Sequence, residues 1–292
     1  MNVSAPRQLR IVDFVGFDPD DNLLIGGEAQ EVLTALQIHP SYTQLLTGRV
    51  KLAYLDPPFN TRRNFKHYPD SATPSTWNTR LKELLTTIRN LLSEDGSVWL
   101  HLDDSEQHRA RLVLDEVFGI DNFVATVIWE RTKMPRLGNK AFAVRHDYIH
   151  VYRKSDSFRL VRPANRPVEA IWTSADVGSN DDATAESTAL FGNPFATPKP
   201  EKLLRTIIEL TTASGDVVLD CFSGSGTTAA VAHKLGRRWL GIEAAAATVE
   251  TFFNPRMRKV VEGTDRGGIS YEVGWMGGGG FTELVLEHTL EG

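Results

Sequence analysis

Seven short apolar runs, each bounded by turn residues, recur along the 292-residue chain: Asn22 to Ile25, Val50 to Leu55, Ser97 to Leu102, Phe123 to Trp129, Tyr148 to Tyr152, Val217 to Leu219 and Trp239 to Ile242. Runs of this length and punctuation are buried strands. Several are separated by helical patterns. The clearest is Leu81, Leu84, Leu85, Ile88 and Leu91, which put one apolar stripe toward a sheet, with Gly96 expected to end the helix. Others run from about Glu28 to Ile38, Ser105 to Phe118, Pro200 to Ala213 and Thr227 to Leu235. Strands alternating with helices predict an α/β doubly wound sheet with helices on both faces. From Phe123 to Tyr152 two strands are joined by a basic loop without helical periodicity, as in an antiparallel edge pair.

Between the helical patterns, Thr173 to Pro198 is rich in Ser, Thr, Asn, Asp and Ala and holds no Lys or Arg, which reads as a loop or insert. Gly263 to Gly280 carries eight glycines between the short alternating runs Ile269 to Val273 and Phe281 to Leu286, the pattern of a terminal hairpin or tail. The single cysteine, Cys221, excludes a disulfide scaffold and a Cys-rich zinc site, so no metal is expected. No apolar run approaches the ~18 residues of a membrane span, and residues 1 to 30 lack the order of a signal peptide, so a cytoplasmic protein without membrane contact is expected.

Two motifs carry chemistry. Asp220-Cys221-Phe222-Ser223-Gly224-Ser225-Gly226-Thr227 stands where a strand ends and a helix opens, and its glycines let the backbone turn tightly and approach a ligand at the sheet's carboxyl edge. Glu243 closes the next strand 19 residues after Gly224, where a carboxylate accepts hydrogen bonds from the ribose hydroxyls of an adenosine. The run from Gly224 to Ala229 also satisfies G-x-G-x-x-G/A, so the motif alone does not separate S-adenosylmethionine from NAD. Only 49 residues follow Glu243, several of them glycines, too few for a second mononucleotide half. The sheet must be completed by upstream strands, an awkward order for a dehydrogenase.

The second motif, Asp56-Pro57-Pro58-Phe59-Asn60, directly follows the strand Val50 to Leu55. A rigid strand-ending turn would account for the prolines. Chemistry accounts for all the residue types. An exocyclic amine of a nucleobase is a poor nucleophile because its lone pair is delocalised into the ring. A carboxylate and a proline-fixed carbonyl, Asp56 and that of Pro57, would accept its two N–H bonds and aim the lone pair at a methyl donor. The base must be flipped out of the duplex, and Phe59 supplies a ring for it to stack on.

The net charge of -5 argues, as an average, against a nucleic-acid partner, yet Arg131 to Arg166 holds ten basic residues against Asp147 and Asp156, +8 against -13 for the remainder. The whole segment from Arg131 to Arg166 is therefore expected to lie on the sheet edge of Asp56 and face DNA phosphates, with Arg131, Lys133, Arg136 and Lys140 as the contacts. Were it instead a solvated face, Arg62, Arg63 and Lys66, which follow the catalytic motif, would clamp the backbone beside the flipped base.

These residues resemble a DNA amino-methyltransferase of the permuted (beta) class, in which the catalytic motif precedes the cofactor motif. The likeness runs from about Asn22 to Glu243 and includes Gly96 to Asp104, His146 to Ile149 and Asn193 to Lys202. It is similar to the modification (Mod) subunits of type III restriction systems and to related solitary adenine methyltransferases. The resemblance implies S-adenosylmethionine as cofactor, double-stranded DNA as substrate, frequent homodimers, a restriction subunit as partner in some members, and a Rossmann-like, mostly parallel seven-stranded sheet with one antiparallel strand. By it, Asp56, Pro57, Pro58 and Phe59 are catalytic, and Asp56, Lys199, Asp220, Phe222, Ser223, Gly224, Gly226, Thr227 and Glu243 hold the cofactor. Asp rather than Ser at position 56 resembles the adenine-N6 members more than the cytosine-N4 ones, which stand as the alternative. A non-catalytic subunit binding S-adenosylmethionine or DNA is a further reading, as is an NAD oxidoreductase. Residues 1–262 form the expected methyltransferase domain, with a catalytic half (20–155), a loop or recognition insert (156–198) and a cofactor half (199–262), followed by a Gly-rich end (263–292). Where the family reads Gly-Asp-Asn or Gly-Asp-Cys after its first strand, this chain has Gly26-Gly27-Glu28, which puts the usual acidic contact to the adenine in doubt.

Overall fold

The computed structural model describes residues 8–17, 22–59, 73–134, 142–161 and 167–287. Among these, strands β1 (Leu9–Gly16), β2 (Leu23–Gly26), β3 (Val50–Leu55), β4 (Leu92–Leu102), β5 (Phe123–Glu130), β6 (His146–Arg153), β7 (Ile171–Trp172), β8 (Val217–Asp220), β9 (Arg238–Glu243) and β10 (Gly280–Leu286) build one sheet, ordered β1-β10-β2-β9-β8-β3-β4-β6-β5-β7. The helices are α1 (Ala29–Ile38), α2 (Pro40–Leu46), α3 (Pro74–Leu91), α4 (Gln107–Phe118), α5 (Ser174–Val177), α6 (Asn180–Phe191), α7 (Glu201–Thr211), α8 (Thr227–Lys234), α9 (Ala246–Thr248) and α10 (Asn254–Glu262).

The seven expected strands, β2, β3, β4, β5, β6, β8 and β9, lie side by side at the centre, and of these β6 alone is antiparallel to both its neighbours. Alternation along each strand feeds two cores. Ala53, Leu55, Leu100 and Leu219 pack under α1, α3 and α4 through Leu33, Leu85, Ile88 and Leu114. Leu52, Tyr54, Trp99 and Val218 face the opposite way, against Leu203, Ile207, Val231 and Met257 of α7, α8 and α10.

Three expectations are corrected by this sheet. The run Phe281 to Leu286 makes no hairpin with Ile269 to Val273, which forms turns; it is β10, parallel to β2 and antiparallel to β1. Asn22 fixes that extension, its Nδ2 donating to the Gly280 carbonyl and its Oδ1 accepting from the Trp239 amide, both at 2.9 Å. Gly96 does not stop a helix: α3 ends at Leu91, and Gly96 lies within β4 where a Cβ would come 2.8 Å from the Val50 carbonyl oxygen. The polar stretch after Thr173 is largely helical, because Thr173 with Asp176 and Ser179 with Asp182 form capping boxes that open α5 and α6.

β3 continues through α3 to β4 on one side, whereas its other neighbour, β8, continues through α8 to β9 on the opposite side. The carboxyl ends of β3 and β8 therefore flank the topological switch point, where open α/β sheets bind ligands.

Candidate active site

Both sequence motifs meet at that point: Tyr54 is registered against Asp220, so Asp56 leaves β3 beside the start of the glycine loop. One carboxylate oxygen of Asp56, Oδ2, accepts from the Lys199 ammonium; the other, Oδ1, is buried and has no hydrogen-bond partner among the described residues. Lys199 stands 5.7 Å from the centroid of the Phe59 ring, whose neighbour is the His101 imidazole, stacked at 6.1 Å. The Pro58 carbonyl faces the Trp77 indole N–H at a long 3.5 Å. Asn60, Arg62, Arg63 and Lys66 lie outside the described residues.

The loop after β8 is built around two carboxylates. Asp220 Oδ1 accepts from the Phe222 amide at 2.9 Å, and burial, reinforced by the negative charges of Asp56 and Glu243, pushes its carboxyl up to about 7. Glu243 braces the loop, accepting from the Gly224 amide at Oε2 and the Ala245 amide at Oε1, each at 2.9 Å. Ser223 donates to the Asp220 carbonyl, and Thr227 Oγ1 accepts from Arg256 at 2.8 Å.

The glycines answer partly to packing. Gly226, at φ 80°, has no room for a side chain because a Cβ would fall 2.3 Å from the Phe253 ring. Gly224 lies under Phe195, where a Cβ would come within 3.0 Å of the ring. In the departed segment, Glu28 Oε2 caps α1 by accepting from the Glu31 amide, and the Gly27 amide donates to the Glu243 carbonyl.

The basic segment does not lie on one edge. Arg131, Lys133 and Arg145 flank the carboxyl end of β5, on the side of Asp56, but Arg153 ends β6 at the opposite edge and Lys154 and Arg159 follow it. Those on the near side are engaged: Arg131 pairs with Asp147 at 2.8 Å, Lys133 with Asp182 at 3.5 Å and Arg145 with Glu130 at 3.1 Å. Arg136 and Lys140 lie outside the described residues. Sequence reasoning missed Phe195, Tyr54, His101 and Asp147 at this site. The available signal was a histidine inside the otherwise apolar run Val98 to Leu102, a polar ring that must find partners once buried. The described residues hold no metal-competent cluster of His, Cys, Asp and Glu and no helix long and apolar enough to cross a membrane.

A sequence profile described as DNA methylase, covering N6 and N4 enzymes, matches residues 50–254. The probable HindVI type III restriction-modification Mod subunit of Haemophilus influenzae is 25% identical, over 92% of this chain and 54% of its own length. The StyLTI Mod subunit of Salmonella typhimurium is 24% identical, over 71% of this chain and 49% of its own. The chain thus spans about half the length of these curated relatives. Among solved structures, the M1.HpyAVI–SAM complex superposes with a TM-score of 0.59 at 22% identity, covering 80% of this chain and 98% of that one. The cytosine-N4-specific PvuII DNA methyltransferase gives 0.62 at 19% identity, covering 80% and 86%.

Proposed function

The chain belongs to the DNA methylase family, and from that premise we propose that it transfers a methyl group from S-adenosylmethionine to the exocyclic N6 amine of a flipped adenine in double-stranded DNA. The observation that carries this reading is Asp56, whose Oδ1 is buried and without a hydrogen-bond partner among the described residues beside the switch point, while Oδ2 is held by Lys199. A buried acceptor left open is costly unless a ligand fills it, and an N–H of the target amine does so.

The residues suit the cofactor. Asp220 offers a buried carboxylate to a cationic ligand, and Glu243 closes β9 with its carboxylate against the glycine loop, where a ribose hydroxyl can donate to it. When bound, S-adenosylmethionine supplies an electrophilic methyl group. Asp56 accepts an N–H of the amine, turns the nitrogen lone pair out of conjugation, and stands ready to take the proton which that nitrogen gives up. Phe59 receives the base on its ring, and Lys199 fixes the carboxylate.

Asp56 in place of Ser favours adenine. Cytosine N4 is the competing substrate, since the same acceptor serves its amine. Mass spectrometry of nucleosides from DNA incubated with the protein and labelled S-adenosylmethionine tests the assignment: labelled N6-methyladenine is expected, labelled N4-methylcytosine alone would move it to the other base, and no label would support a non-catalytic subunit. The likeness to Mod subunits supports pairing with a restriction subunit, and the chain's family resemblance supports a homodimer; both partnerships are part of this proposal.

Donor binding should depend on pH. Below about 7 the Asp220 carboxyl of the donor-free protein holds its proton, whereas a cationic donor favours the ionised form, so binding releases that proton. Donor affinity is then expected to fall as pH drops through about 7, by up to about tenfold per pH unit for one linked proton. Calorimetry in two buffers of different ionisation heat measures the release directly, and affinity independent of pH would remove Asp220 from the donor site.

On the DNA side, Lys133 is half exposed and its partner is an equally accessible carboxylate, so it is free to exchange Asp182 for a phosphate. Lys133→Ala should flatten the slope of log affinity against log salt by about 0.9, leaving donor affinity unchanged. An unaltered slope would take Lys133 out of the interface.

A further inference from the structure

Behind Phe59 runs a chain of buried polar groups that donor binding and the chemistry above do not use. The Tyr54 hydroxyl lies 2.8 Å from His101 Nδ1, and His101 Nε2 lies 3.3 Å from Asp147 Oδ2. Asp147 Oδ1 is in turn 2.8 Å from Arg131 Nε. Tyr54, His101 and Asp147 are 1%, 0% and 4% exposed, and they come from three different strands, β3, β4 and β6. Burial and the charges of Asp56, Asp220 and Asp147 keep the Tyr54 phenol protonated. Against the cost of burial, the His101 hydrogen bond and the nearby cations hold Asp147 below the usual carboxylate range. Both ring nitrogens are partnered when Tyr54 O–H donates to Nδ1 and Nε2–H donates to Asp147, a tautomer fixed from both sides, while the Asp147–Arg131 contact is an ion pair without hydrogen-bond geometry.

Such an arrangement costs more to bury than an apolar core would. What it delivers is a ring whose plane cannot swing. That ring stacks on Phe59 with 30° between the planes, and the Trp129 indole meets it edge-on at 5.4 Å. We propose that His101 is a positioning residue for base stacking: locked by Tyr54 and by the Asp147–Arg131 pair, its imidazole forms the floor that sets the plane of Phe59 and so the pose of the flipped base. The proposal rests on the methyltransferase reading. His101 is fully buried behind Phe59 and so acts through that ring, and Arg131, at the far end of the chain, ties the floor to the segment that leaves β5 on the edge of Asp56.

A residue that acts through another shows it in a double-mutant cycle. His101→Gln retains a donor and an acceptor but removes the flat ring. In the wild-type background it should lower the methyl-transfer rate constant by about tenfold or more, the scale of a misplaced reacting group, while donor affinity stays within about twofold. In a Phe59→Leu background, where no ring remains to be oriented, the same substitution should change the rate by no more than about twofold. Asp147→Asn, which keeps the volume of the buried group, is carried through the same cycle and covers the case in which His101→Gln fails to fold. Transfer by the wild-type protein is measured alongside: if it moves no methyl group to DNA, the functional reading fails, and this proposal with it. If the wild type is active, then undiminished rates in the single variants would overturn the positioning role alone. So would losses that multiply in full with Phe59→Leu, the signature of a general structural defect.

Discussion

Asp56→Ala is expected to cut methyl transfer by about 100-fold or more, roughly 3 kcal/mol on the barrier, the usual cost of removing one preorganised acceptor. The structure narrows the expectation. Among the described residues Asp56 is bonded to one side chain, Lys199, and its buried Oδ1 has no hydrogen-bond partner, so truncation deletes the acceptor and breaks one ion pair. Lys199 is left over the Phe59 ring. The glycine loop does not depend on Asp56, because its amides are held by Asp220 and Glu243. Donor affinity should therefore be largely retained while turnover collapses, a split visible in single-turnover transfer set beside calorimetric titration of the donor. Asp56→Asn should fare little better, since an amide that turns its oxygen to Lys199 presents its own N–H groups to the amine. Near-normal transfer by Asp56→Ala would remove the carboxylate from the mechanism and leave Asp-Pro-Pro-Phe as a rigid turn.

What could be read in the chain before its fold was known divides along physical lines. Among the seven central strands β3, β8 and β9 were legible because they are buried on both faces, which makes their sequences apolar almost throughout, whereas β5, half-buried at most positions, was legible from its run of β-branched and aromatic residues. β1 was not. It lies at the sheet's edge with Ile11, Val12 and Phe14 about half exposed, and its one partner, β10, is remote in sequence. The helices α5 and α6 escaped notice because they bury little, α6 only Ala183 and Ser187, so no apolar stripe marks them. Their capping boxes, Thr173 to Asp176 and Ser179 to Asp182, were the legible trace. The basic segment looked like one patch because charge counting ignores direction. β6 carries the chain about 26 Å across the sheet in eight residues, delivering Arg145 and Arg153 to opposite edges. Glycine meaning was the least legible. The same G-x-G spelling serves a ligand or a neighbouring aromatic ring, and Phe253, 27 residues after Gly226, leaves no local signal.

Lys234→Met should destabilise the fold by about 3–5 kcal/mol, the cost of removing one partner from a buried ionic cluster. Lys234 ends α8 fully buried, 2.8 Å from both Glu201 and Asp265. Arg256 reaches the same Glu201 oxygen at 2.8 Å, and the Ile269 amide donates to the other at 2.9 Å. Without the ammonium, Asp265 loses its ion-pair partner in the cluster and Glu201 keeps one cation, Arg256, beside the Ile269 amide. Nor does Glu186 compensate: burial and the charge of Glu201 already push its carboxyl up to about 7, so it brings a proton rather than a cation. At about 2–4 °C per kcal/mol for a chain of this size, Tm should fall by about 10 °C. Lys202→Met supplies the contrast, because that ammonium is half exposed and 3.8 Å from Glu272, a pairing worth at most about 1 kcal/mol. Denaturant unfolding of the two variants separates the cases, and equal midpoints would show that the buried cluster contributes no more than a surface pair. The cluster's position makes the effect reach the site. Glu201 opens α7 two residues after Lys199, and Arg256 bonds both Glu201 and Thr227, the first residue of α8 after the glycine loop. Arg256 thus links the start of α7, just after Lys199, to the start of α8, just after the glycine loop, and Lys234 holds the Glu201 carboxylate through which that link runs. Lys234→Met should accordingly weaken donor binding at temperatures where the protein is still folded, although Lys234 itself is buried away from the crevice.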